Sequence, residues 1–190
     1  MVVSGCSTHS LAAAEAELGG PGQAVGVVAD NADNADNADN AAPGTSDRLI
    51  ASARGPFKGL DSALISVGGP PTGTTDAVDD DQWRASFESG FLGAVRLSRV
   101  VAAQLDEGGV IGFVLTTSVY EPIACFAISN APRPALSGYA NTLAGELGPR
   151  GVRVDGLVPA HIGTDRTLEL QSITGDADRT AAFLLSPAAS

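Results

Sequence analysis

Two cysteines, two histidines, two tyrosines and a single lysine, Lys58, are what 190 residues offer for nucleophilic, metal or proton-transfer chemistry. Cys6, Cys125, His9 and His161 show no ligand-like spacing, so neither a zinc site nor a disulfide framework is indicated, and no metal is expected. Cys125 sits in an apolar stretch with no histidine near it in sequence, which reads as a small buried hydrophobe rather than a nucleophile. His161 reads as an exposed loop residue. Residues 30–41 repeat Asp-Asn-Ala four times. Without the glycine and bidentate glutamate of a calcium loop, that tract is expected to be an irregular, solvated loop, extending over 30–44. Asp79, Asp80 and Asp81 are placed as favourable charge at a helix N-terminus.

The elements that must position any such chemistry alternate along the chain. Met1 to Ser4 is a short apolar run, followed by an Ala/Glu/Leu-rich helix from Leu11 to Leu18 that stops at Gly19-Gly20. Ala24 to Ala29, Ser62 to Val67, Gly109 to Thr117 and Val152 to Val158 are the runs expected of parallel strands buried on both faces. Helix signals lie between them: from Ser46 to a stop at Gly55-Pro56, over a long segment from Asp80 to Leu105, and from Ser129 to Leu147. The expectation is a single α/β domain over residues 1–190, a doubly wound parallel sheet of Rossmann type with its ligand crevice at the carboxyl ends of the strands.

Hydrophobic residues make up 44% and charged residues 17%, enough apolar content for one packed core. The net charge of −11 opposes binding to nucleic acid or anionic lipid. Val3-Ser4-Gly5-Cys6 satisfies a lipoprotein cleavage pattern, but no lysine or arginine precedes Arg48 and no long apolar run leads into it. No run is long enough to span a bilayer, and a reduced cytoplasmic setting is the expectation.

In order and spacing, these segments resemble the short-chain dehydrogenase/reductase family from about Leu11 to Arg166. Ala24 to Asp30 is similar to the family's third strand with its terminal aspartate. Ala63 to Gly69 resembles the strand that normally ends in Asn-Asn-Ala-Gly, and Trp83 to Phe87 with Gly93-Ala94-Val95 the long helix after it. Thr116-Thr117-Ser118-Val119 resembles the strand end carrying the family's serine. Pro159-Ala160-His161-Ile162-Gly163-Thr164 is similar to the cofactor loop Pro-Gly-x-Ile-x-Thr. The resemblance implies carbonyl or alcohol oxidoreduction with NAD or NADP on an unidentified small substrate. It assigns Asp30, Gly68, Pro159, Ile162 and Thr164 to cofactor binding.

The family's tyrosine and its lysine four residues on cannot be built here, because Lys58 precedes the serine strand. Alignment puts Ser129 and Arg133 at those positions, and the run is similar to a divergent branch with Ser-Asn-x-x-Arg, which makes Ser118, Ser129 and Arg133 the candidate catalytic set. Gly90 stands where many members have a structural asparagine. An arginine can hold ribose hydroxyls or a carboxylate with its fork, but its pKa is too high for acid/base work near neutrality. No Gly-x-x-x-Gly-x-Gly phosphate turn occurs. Either Met1 to Ser4 is the family's second strand and the first strand-helix unit is missing, the favoured threading, or Ser4 to Leu11 is a degraded phosphate turn. Two readings follow: an oxidoreductase using Ser118, Ser129 and Arg133, or a non-catalytic relative that keeps the fold for binding or self-association. A homo-oligomer is expected, through surplus apolar residues Phe91, Leu92, Val95 and Leu97 on one helix and Leu136, Tyr139, Leu143 and Leu147 on another.

Overall fold

The computed structural model describes residues 1–5, 7–29 and 44–159. Met1–Val158 form one compact unit, and Pro159 opens a second, Pro159–Ser190. The Asp-Asn-Ala tract lies outside the described residues, as do Asp30, His161, Ile162 and Thr164. Strand β1 (Val2–Gly5) leads into helix α1 (Thr8–Glu17) and strand β2 (Val25–Val28). Ser7 caps α1 by accepting the Ser10 N–H, and the helix stops where Gly19 and Gly20 take φ of 99° and 82°, a region that favours glycine. Helix α2 (Thr45–Phe57) runs past the expected stop at Gly55-Pro56. Pro56 falls in the last turn, and the end comes at Lys58, whose left-handed conformation (φ 63°) lets its N–H reach the Arg54 carbonyl.

Strand β3 (Ser62–Ser66) precedes α3 (Asp80–Phe87) and α4 (Gly93–Ala102), and the two helices are joined by a π-helical turn over Glu88–Leu92. The expected uninterrupted helix is therefore one helical path with a bulge that contains Gly90. Asp79 starts α3 with a reciprocal cap: its carboxylate accepts the Gln82 N–H at 2.8 Å, and its own N–H donates to Gln82 Oε1 at 3.0 Å. Asp79→Ala should lower the unfolding free energy in urea by about 1 kcal/mol, the usual cost of a lost cap; an unchanged midpoint would show the box to be idle. Strand β4 (Val110–Val114) ends before the expected Thr117, in a 3-10 turn at Thr117–Val119. The expected Ser129–Leu147 helix is divided into α5 (Ala127–Asn130) and α6 (Pro132–Leu147), because Pro132 at the first position of α6 has no N–H to continue the ladder. Strand β5 (Arg153–Leu157) closes the described chain.

Among the described residues all strand pairs are parallel, in two sheets: β1 with β2, and β3-β4-β5 in that order. The usual doubly wound order is 3-2-1-4-5-6. Removing its central strand and renumbering gives 2-1 and 3-4-5, which is what the described strands form. The fold is Rossmann-like and one strand-helix unit short, as the favoured threading expects.

The core lies on one face of β3-β4-β5, where Ile65, Ile111 and Phe113 meet α4 and α6. Helix α6 supplies Leu136, Ala140, Leu143 and Leu147, a stripe at helical spacing. This corrects the assembly argument, since Leu136, Leu143 and Leu147 are buried in this core and are not surplus surface. Tyr139, half-buried, is edge-on to Phe113 and Phe91 and hydrogen-bonds Ser98 at 2.9 Å.

Candidate functional site

Strands β3 and β4 run in register from Ser62 beside Val110 to Ser66 beside Val114, so their carboxyl ends open together into Val67-Gly68 and Leu115-Thr116. Helix α6 starts over this edge, held there by its buried leucine stripe. From its first turn Arg133 reaches back to the strand ends: Nη1 donates to the Val114 carbonyl at 2.9 Å, and Nη2 donates to the carbonyls of Val67 at 3.0 Å and Gly68 at 3.2 Å. Desolvation pulls the guanidinium pKa below its ordinary value, and the group stays charged as arginines in proteins do. Nη2 thus serves two carbonyls and Nη1 one. A bidentate grip on a carboxylate or a ribose diol needs that fork free. In this structure the fork ties two strands together instead.

Ser118 lies in the 3-10 turn after β4, only 3% exposed, and its Oγ has no hydrogen-bond partner among the described residues. That turn packs against both α5, which carries buried Ser129, and α6, which carries Arg133. The three residues are thus brought to the carboxyl end of β4. A buried hydroxyl without a partner costs free energy that a ligand oxygen would recover.

Asn130, to which the sequence assigns no role, is structural. Its Nδ2 donates to the Ile123 carbonyl at 2.8 Å and its Oδ1 accepts the Ile123 N–H at 3.0 Å, pinning the loop ahead of α5. The same loop is tied at Gly73, whose N–H donates to the Cys125 carbonyl at 2.7 Å and whose carbonyl accepts the Ala127 N–H at 3.1 Å. The signal was present in the Ser-Asn-x-x-Arg spacing, but only the fold shows what the amide holds. Cys125 itself is exposed with φ of 60°, correcting the expectation of a buried hydrophobe: the tight turn into α5 points it outward. Tyr120 is exposed, and Tyr139 is tied to Ser98.

Of the cofactor residues, Gly68 stands at the end of β3 with its carbonyl on Arg133, and Pro159 follows β5 at the start of the second unit. No group of three or more metal-ligating side chains gathers among the described residues, and no helix among them is long and apolar enough to cross a membrane.

A family model described as short chain dehydrogenase matches residues 2–173. The human protein named dehydrogenase/reductase SDR family member 2, mitochondrial, is 29% identical over 121 residues, 63% of this chain and 43% of that protein. The chain spans less than half the length of the curated relatives it matches. A short-chain dehydrogenase/reductase structure from Brucella melitensis superposes with a TM-score of 0.75 at 23% identity, covering all of this chain and 79% of the other. An NADPH-bound short chain oxidoreductase from Pseudomonas aeruginosa, described as containing an atypical catalytic center, gives a TM-score of 0.78 at 17% identity over 96% of this chain and 69% of that one.

Proposed function

Because the chain belongs to the short-chain dehydrogenase/reductase family, we propose that the carboxyl end of β4, where Ser118 and Arg133 lie, is a small-molecule site for a carbonyl or alcohol group, kept from an NAD(P)-linked oxidoreductase ancestry but without hydride transfer of its own. The observation that carries this reading is the pairing of a buried, partnerless Ser118 hydroxyl with an Arg133 whose fork is already closed on backbone. Ser118 has a hydrogen to offer a ligand oxygen that reaches its buried hydroxyl. To move a proton it would need a base, and among the described residues no lysine, histidine or carboxylate hydrogen-bonds it. Ser129 has the same limitation. Arg133 fixes the spacing of the strand ends on which a ligand would rest.

Among the described residues, Arg133, the group that the family resemblance places at the ribose, is engaged with the carbonyls of Val67, Gly68 and Val114 and does not fit that role as it stands. A second reading, NAD(P)-dependent turnover by Ser118, Ser129 and Arg133, draws support from the Pseudomonas aeruginosa protein, which binds NADPH with an atypical catalytic center.

Fluorescence titration with NADH and NADPH, followed by turnover assays on aldehydes and ketones, separates the two. The expected result is no saturation at millimolar cofactor and no oxidation of NADPH. Saturable binding with turnover that is lost in Ser118→Ala would establish the second reading and remove the first.

A further inference from the structure

Ser118 is buried, so a ligand reaches its hydroxyl only when something packed on the 3-10 turn gives way. Among the described residues, α5 and α6 pack on that turn. Helix α6 is fixed from two sides: Leu136, Ala140, Leu143 and Leu147 lie in the core, and Arg133 is tied to the ends of β3 and β4. Helix α5 is a single turn whose buried Ile128 stands outside the core cluster that holds Phe113. Pro132 interrupts the ladder between the two helices, so α5 can lift while α6 stays.

Hydrogen bonds, more than apolar packing, hold α5 and its leader down. Tyr120, Glu121, Pro122, Ala124 and Cys125 are exposed. The chain folds back as it leaves the turn, where the N–H groups of Tyr120 and Glu121 donate to the Thr117 carbonyl at 3.0 and 3.2 Å. The Asn130 amide then staples the end of α5 to Ile123, donating to its carbonyl and accepting its N–H. The far side is latched to the loop after β3 by one isolated parallel bridge between Gly73 and Phe126, made through the Cys125 carbonyl and the Ala127 N–H. The post for that latch is tightly built, since a Cβ at Gly73 would come within 3.0 Å of Val78 Cγ2, and the Ala77 N–H closes a turn on the Thr74 carbonyl. The moving part carries strain instead: Cys125 sits in the left-handed region, which is costly for a residue with a Cβ. Exposed backbone bonds, few core contacts and local strain are the marks of a segment that opens below the global unfolding energy.

We propose that residues 120–130 are a lid on the Ser118 hydroxyl, hinged at the break before Pro132, stapled by Asn130 and latched on Gly73, and that this lid opens as a unit to admit a ligand. The proposal rests on the reading of Ser118 as part of a small-molecule site and adds how that site is reached. Asn130 acts as a positioning residue, through Ile123 and not through the ligand. Gly73 couples the lid to the loop after β3, so the two loops at the carboxyl ends of β3 and β4 part when the bridge breaks.

Thiol labelling tests the lid without a ligand. In the full chain with Cys6→Ser and Cys125→Ser, Ser118→Cys leaves one thiol, at the buried position, and iodoacetamide alkylates it at a rate set by opening. That rate is expected to lie far below the rate for an exposed thiol, to change little in low urea, and to rise by about tenfold or more when Asn130→Ala is added. Leu147→Ala, at the other end of α6, weakens the core away from the lid and should leave the rate unchanged. The proposal is overturned if the thiol reacts as fast as an exposed one, if Asn130→Ala does not speed it, or if the rate climbs steeply with urea and Leu147→Ala raises it as much, which is access by global unfolding. Should the thiol variant not fold, amide exchange on the unsubstituted chain decides: Gly73, Ile123 and Ala127 must exchange together, through an opening insensitive to low urea and faster than that of the α6 amides. Exchange of the three only along with α6, or each at its own rate, overturns the lid. Neither measurement uses a ligand, so failure of the site reading in the titrations and failure of the lid here are separate results.

Discussion

Phe113→Ala is expected to lower the unfolding free energy by about 4 kcal/mol, the scale of a large-to-small change in a core that cannot collapse around the vacancy. Phe113 is fully buried in β4, the central strand of its sheet, and sits edge-on to Tyr139 with ring centroids 6.2 Å apart. The ring is where β4 and α6 meet, so its loss also loosens Tyr139 and the Ser98 hydrogen bond behind it. Such a loss is a large share of the roughly 5–15 kcal/mol that holds a typical domain together. Denaturant unfolding checks it, and a change below about 1 kcal/mol would mean the core repacks far more readily than close-packed interiors do.

Arg133→Met is expected to cost about 3 kcal/mol, because it strands the carbonyls of Val67, Gly68 and Val114 while leaving the aliphatic part of the side chain in place. Arg133→Lys should recover only part of that loss, since an ammonium is a point donor and cannot span two strand ends. A residue that served only to grip a ligand would behave oppositely: both substitutions would leave the urea midpoint unchanged and weaken ligand binding alone. Unfolding curves of the two variants therefore decide whether the arginine is part of the scaffold or part of the recognition surface.

The β2 and β4 runs were legible because their apolar residues are continuous rather than alternating, a pattern that encodes cover on both faces, whereas Arg153 and Asp155 interrupt the run of β5. Among the described residues, β3 and β5 have helices on one face only, and Leu64 and Leu157 keep the sequence signature of buried residues while being 64% and 50% exposed. The favoured threading was legible for the same reason, since Met1 to Ser4 leads into a helix with a clear Gly19-Gly20 stop and no phosphate turn. The site was legible as a set of positions and not as a set of contacts. Arg133 meets Val67 across 66 residues of chain, a separation at which local pattern carries no information. The same holds for Asn130, whose type suggests a turn but whose partner, Ile123, is fixed only once α5 has formed. Helix ends at Lys58 and within Glu88–Leu92 escaped because a left-handed lysine and a π turn contradict local propensity and are imposed by packing.

The division into two sheets also bears on how the molecule comes apart. A two-stranded sheet is marginal by itself, and β1-β2 is held to the remainder through α2 rather than through a ladder. The β1-α1-β2 layer is therefore the lower-energy foldon, able to open while β3-β4-β5 stays closed under α4 and α6. Unfolding would then be a staircase rather than a single step. A protease reaching the opened layer would cut there first and leave the Phe113 core as a persistent fragment.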